Sequence, residues 1–224
     1  MDLSVYFESF KFHWPVLLLA LLIAFAGNTW INYLYPKALQ RNSLSFPDQI
    51  DKRAKWRKPL LLIALLFCFG KAWSQATIPA LLYILIAVSF LLFMTITDYE
   101  QQVILNEMVF LFALFGLCYT LHLQLSIQEH LLAALGGGLL FLFLAFISRG
   151  AFGGGDIKLI AALGLWLGVK ALINVIIYGA IAGGIAALLL LFFKKTERKQ
   201  YMAYGPYYTL SAIGILLKLL RLSF

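Results

Sequence analysis

The chain has 224 residues, of which 62% are hydrophobic and only 12% charged, with a formal net charge of +8. A soluble domain is nearer half apolar and a quarter charged, so a water-facing globule is excluded. The 18 Lys and Arg residues fall mainly between apolar runs, where they read as topology signals and not as a nucleic-acid surface.

The first apolar run covers about residues 14–34, close to the roughly 20 residues that cross a bilayer core. Ala24-Phe25-Ala26 mimics a signal-peptidase site, but Asp2, Glu8 and a single Lys11 precede the run in place of a basic head. A retained first helix is therefore expected. Segment 35–58 follows as the one sizeable polar loop. Its centre, Arg41 to Lys58, holds Pro47, mixed charge and too few apolar residues to bury a core of its own. Further runs lie near 59–73, 77–97, 103–122, 129–148, 157–169, 171–193 and 206–222. Those at 59–73 and 157–169 are short, as tilted or shielded spans are.

The expected fold is all-α and integral to the membrane: about eight transmembrane helices in one domain, residues 1–224, with 35–58 as a short basic loop. Gly136-Gly137-Gly138 and Gly183-Gly184 would allow close helix contacts. Trp14, Trp30, Trp73 and Trp166 fall near span ends, where indoles favour the interface. Cys68 and Cys118 are isolated, without C-x-x-C or metal-ligand spacing, and read as small core residues. No metal site is expected.

With eight spans, segment 35–58, segment 194–204, Arg149 and Lys158 share one side. That side carries thirteen basic residues, against Lys11, Lys71, Lys170, Lys218 and Arg221 on the other. The positive-inside rule makes the thirteen cytoplasmic and both termini external. The basic loop could also meet anionic lipid.

Of ten acidic residues, Asp2, Glu8, Asp48, Asp51, Glu129 and Glu197 lie in tails or loops, leaving Asp98, Glu100, Glu107 and Asp156. Asp98 ends the third span and Asp156 begins the sixth, both at the cytoplasmic membrane boundary. Ionisable groups there are costly unless they face protein or water, which makes them functional candidates. Two carboxylates brought together share a proton. The charged one can then activate water while the neutral one donates to a carbonyl, a division that serves peptide hydrolysis without metal or nucleophile. Gly153-Gly154-Gly155 before Asp156 would permit unusual backbone and close approach of another chain. An ordinary turn capped by Asp at a helix start explains the same residues.

Phe152-Gly153-Gly154-Gly155-Asp156-Ile157-Lys158-Leu159 resembles the G-x-G-D motif of bacterial prepilin peptidases. Asp98-Tyr99-Glu100-Gln101-Gln102-Val103-Ile104-Leu105-Asn106 is similar to that family's first aspartate segment, and Tyr204-Gly205-Pro206-Tyr207 to its phenylalanine-glycine-proline motif. The resemblance implies an aspartic endopeptidase of the bacterial inner membrane. Such an enzyme cuts the basic leader from type IV pilin or pseudopilin precursors on the cytoplasmic side. It implies Asp98 and Asp156 as the catalytic dyad and Gly153 and Gly155 as shapers of the turn presenting Asp156. Lys158, Asn106, Gly205 and Pro206 would be supporting residues. No cofactor and no nucleic-acid partner is implied, and the oligomeric state is left open.

Two departures stand out. Leu105 and Asn106 replace the family's proline and aspartate. No cysteine follows Gly27-Asn28-Thr29-Trp30-Ile31-Asn32 before Cys68, so the cysteine-rich insert tied to N-methylation is expected to be missing, and methylation with it or on a reduced scaffold. Glu100 and Glu107 are candidates for holding a basic leader by charge sign. Two other readings use the same aspartates: a small proton-coupled transporter, and a pilin-binding assembly factor that does not cut.

Overall fold

The computed structural model describes residues 14–73, 78–148, 153–193 and 203–222, and all regular structure among them is helical. In chain order there are α1 (Trp14–Gln40), a 3-10 turn (Pro47–Gln49), α2 (Ile50–Ala54), α3 (Arg57–Trp73), α4 (Ile78–Gln101), α5 (Asn106–His122), α6 (Ile127–Ile147), α7 (Gly154–Phe192) and α8 (Gly205–Leu222). The stretches Pro15–Gln40, Ala80–Gln101, Ile127–Ile147 and Gly154–Leu190 are long and apolar enough to cross a membrane, and α5 is a shorter apolar helix. Phe25, Phe110, Phe146 and Phe192 face outward, an exposure that suits lipid and not water. The chain is a multi-pass helical membrane protein. Asp2 and Glu8, used in weighing a signal peptide, and Lys11, Arg149 and the basic run from Lys194 to Lys199, used in the charge count, lie outside the described residues.

Two expected spans, 157–169 and 171–193, are joined in α7, which breaks at Gly168 with φ 68° and ψ −178°. That conformation is essentially open to glycine alone. The halves fold back on each other. Tyr208 packs against Gly179 and also lies within reach of the Asp156 charge. A straight helix would hold residues 156 and 179 roughly 34 Å apart. The first half crosses α6 so closely that a Cβ on Gly164 would collide with the Ala134 backbone, the small-residue packing that lipid favours. Of the clustered glycines, a Cβ on Gly137, Gly138 or Gly183 would come within 3.2 Å of a neighbour, while Gly136 and Gly184 face open space.

Two interior expectations change. Trp166 is only 2% exposed, donates Nε1–H to the Phe112 carbonyl at 2.8 Å and stacks with Phe112 and Tyr119. It is a core residue that ties α5 to α7, not an interface anchor. Cys68 is buried as expected, but Cys118 is exposed.

The loop expected over 35–58 starts later and is more ordered. α1 continues through Pro36 because the chain around it is buried at Leu34, Tyr35 and Ala38. It ends at Gln40, and Asn42, two residues on with a φ of 51°, is a left-handed cap that asparagine tolerates. The chain from Ser43 to Arg57 then lies as a strap across the C-terminal end of α4. Ser45 N–H donates to Gln101 O at 3.2 Å, and Arg53 donates to Glu100 O at 2.7 Å. These are carbonyls that a helix end leaves without intrahelical partners, and cations are favoured there by the helix dipole. Arg57, counted above as a topology charge, is 2% exposed. It grips Glu100 through Nη2–Oε2 at 2.6 Å and Nε–Oε1 at 2.9 Å.

Candidate active site

Asp98 stands in the last turn of α4 and is 6% exposed. Asp156 stands in the first turn of α7 and is part-buried. The fold brings them within electrostatic range of each other, although they lie in separate motifs far apart along the chain. Asp98 accepts a backbone hydrogen bond from Gly205 at the start of α8, and Asp156 is held by its own helix terminus. Asp156 Oδ2 accepts the N–H of Gly153 at 3.1 Å, so a third-position acid reaches back to the residue before the helix, as in half of a capping box. Negative charge is favoured at that end.

The glycine run before Asp156 works differently from the expectation. None of Gly153, Gly154 and Gly155 takes left-handed backbone, and the helix already begins at Gly154. What Gly155 supplies is space: a Cβ there would lie 3.1 Å from Ile104 Cβ. Gly205 does the same for Asp98. A Cβ on Gly205 would lie 2.5 Å from Asp98 Oδ2, 3.0 Å from its Cγ and 3.1 Å from Ile104 Cδ1. Ile104, in the turn between α4 and α5, thus packs against both glycines and stands between the two aspartate-bearing segments. The start of α8 is pinned to α4 by Thr95 Oγ1 and Thr209 Oγ1, 2.6 Å apart. Thr209 also donates within α8 to the carbonyls of Gly205 at 3.0 Å and Pro206 at 3.1 Å.

Lys158 and Asn106 meet. Lys158 Nζ donates to Asn106 Oδ1 at 2.9 Å, linking the turn after Asp98 to the helix that carries Asp156. The substituted turn, Leu105-Asn106, therefore still joins the two segments. Glu100 departs from its expectation as a docking site for a basic leader. It is 2% exposed, paired with Arg57, and accepts the Tyr35 hydroxyl at 2.7 Å. Glu107 is partly exposed and already bonded to Arg41 at 2.8 Å.

Sequence reasoning missed three side chains here. Tyr208, one turn into α8, is buried within electrostatic range of Asp156. Ile104 carried no chemical signal. Gln101 is fully buried one turn beyond Asp98, and its spacing was the only clue.

Helices apolar enough for a membrane, gathering two carboxyl groups at one end of the bundle, define a class: a polytopic membrane protein with a paired-acid site. Residues 85–188, which include both aspartates, match the Type IV leader peptidase family, and the chain is similar to that family over this segment. It is 30% identical over 164 residues to the prepilin leader peptidase/N-methyltransferase of Pectobacterium carotovorum subsp. carotovorum, covering 69% of this chain and 58% of that protein. With the protein of the same name from Dickeya chrysanthemi it shares 31% identity over 196 residues, 85% of this chain and 62% of the relative. That from Neisseria gonorrhoeae is 31% identical over 166 residues, 69% of this chain and 55% of the relative. The chain thus spans less than two thirds of the length of these relatives. No solved structure matches.

Proposed function

We propose that the protein is an aspartic endopeptidase that removes the leader from type IV prepilin-like precursors at the cytoplasmic face of a bacterial inner membrane. Asp98 and Asp156 are its catalytic pair. The observation that carries this reading is the approach of the two acids within the segment that matches the leader peptidase family. Carboxyl groups in mutual range do not both ionise freely. One, ionised, takes a proton from water as the water oxygen bonds to the scissile carbonyl carbon. The other, neutral, gives its proton to the carbonyl oxygen. When the tetrahedral intermediate collapses, the C–N bond breaks and the leaving nitrogen takes the first proton. The second carboxyl recovers its own from the intermediate's hydroxyl.

Gly205 leaves room for the Asp98 carboxyl, the Gly153 N–H fixes Asp156, and the Lys158–Asn106 bond holds their segments in register. N-methylation is not part of the proposed activity. Incubating the purified protein with a model type IV prepilin in detergent and weighing the product tests all of this. A fragment lighter by the leader and carrying no added methyl group is expected. Intact precursor after prolonged incubation would refute the peptidase reading.

A further inference from the structure

Among the described residues, two buried side-chain atoms lack a hydrogen-bond partner: Asp98 Oδ2 and Gln101 Nε2. They belong to side chains at i and i+3 on α4, a spacing that makes helical side chains neighbours. A buried polar atom left unpaired costs about 1–3 kcal/mol, and in a native fold it calls for an explanation, often a functional one. Asp98 has one in the dyad. Gln101 does not.

The Gln101 amide has a fixed orientation. Its Oε1 accepts the Phe46 N–H at 3.0 Å, and a backbone N–H can be met only by an acceptor. The NH2 end must therefore point away from the strap. Being neutral and unable to give up or take a proton, this group can do one thing, which is to donate a hydrogen bond to an oxygen that arrives later.

We propose that Gln101 Nε2 is a second catalytic donor that, beside the Asp98 carboxyl, holds the scissile peptide carbonyl oxygen of the precursor. It stabilises the charge that oxygen gains as water adds to the carbon. The assignment rests on the dyad reading above. Protons and electrons move as described there: the carbonyl π pair passes to the oxygen, which keeps the Gln101 hydrogen bond until the C=O re-forms. Ile104 and the Asp98 carboxyl both border Gly205, and Ile104 lines a cavity of about 200 Å³ together with Leu34, Ala38, Ser43 and Leu105. Swinging its side chain into that space opens a route for the carbonyl to reach both atoms.

Gln101→Glu keeps the acceptor for Phe46 and removes the donor, while Gln101→Met keeps the shape and adds no charge. With purified model prepilin in detergent, each is expected to lower kcat about 10²–10³-fold, the loss seen when one oxyanion donor is removed, and to leave KM near the wild-type value. A wild-type kcat in either variant, or a change confined to KM, overturns the assignment. Asp98→Asn and Asp156→Asn run in the same assay separate the two levels. If these are silent while both Gln101 variants process normally, only the Gln101 assignment fails; if they cleave at the wild-type rate, the dyad itself fails.

Discussion

Replacing Arg57 with methionine removes the guanidinium from the buried end of the strap while keeping most of its bulk. Arg57 contacts Glu100 through Nε–Oε1 at 2.9 Å, Nε–Oε2 at 3.2 Å and Nη2–Oε2 at 2.6 Å, and also bonds Asn32 Oδ1. The variant leaves Glu100, itself almost fully buried, with the Tyr35 hydroxyl as its remaining side-chain donor. Stripping one partner from a buried ion pair costs about 3–5 kcal/mol. For a chain of this length that is a drop of roughly 6–20 °C in Tm. The strap should loosen first, so trypsin should cut faster at the exposed Lys52 and Lys55. The double variant Arg57→Met/Glu100→Met should recover to within about 1 kcal/mol of wild type or better, because an apolar pair of similar volume needs no charge compensation. Thermal unfolding in detergent micelles, followed by tryptophan fluorescence, and timed proteolysis read both effects. A single variant within about 1 kcal/mol of wild type, with unchanged proteolysis, would refute the claim that this pair clasps the strap to α4.

Gly205→Ala should displace the Asp98 carboxyl, given the 2.5 Å approach of the added methyl. Processing should fall up to about 10²-fold, the scale of a 1 Å misplacement, while the purified protein stays folded by thermal scan. Gly168→Ala forces a side chain into a glycine-only backbone; a loss of about 1–3 kcal/mol in the same scan is expected. Asn106→Asp should turn the 2.9 Å bond from Lys158 into an ion pair and keep activity at or above wild type. Lys158→Met should lower it only a few-fold, since an exposed pair contributes about 1 kcal/mol at most; rates on model prepilin distinguish these outcomes.

Much of the helical layout was legible because lipid imposes a length rule that composition reveals. Apolar runs near 20 residues mark spans, and the gap between the runs ending at 169 and starting at 171 fell beside the Gly168 break. The strap was illegible for a physical reason. Charge counting treats every Lys and Arg alike, and nothing local distinguishes Arg57, which turns inward to Glu100, from Lys55 and Lys58, which stay exposed. α1 likewise outruns the apolar run ending near 34, because tertiary burial of Tyr35 and Ala38 outweighs the hydrogen bond lost at Pro36.

At the site, ionisable groups beside apolar runs were easy to find, and motif spacing named both aspartates and the Lys158 and Asn106 positions. Gln101 escaped because a neutral amide gives no charge signal; only its complete burial and its unpaired nitrogen single it out. Gly205 could be named by motif, but its task, making room for Asp98, needed coordinates. The three-glycine run invited a backbone argument that the observed dihedrals do not support.

The central claim is that two acids act as one unit, and leader removal by Asp98→Asn, Asp156→Asn and the double variant measures it most directly. Each single change should reduce the rate at least about 10²–10⁴-fold, the usual reach of acid–base catalysis, and the double should be hardly slower than either single, as for residues that work together. Near-normal processing by either single variant, or losses that multiply in the double, would contradict it.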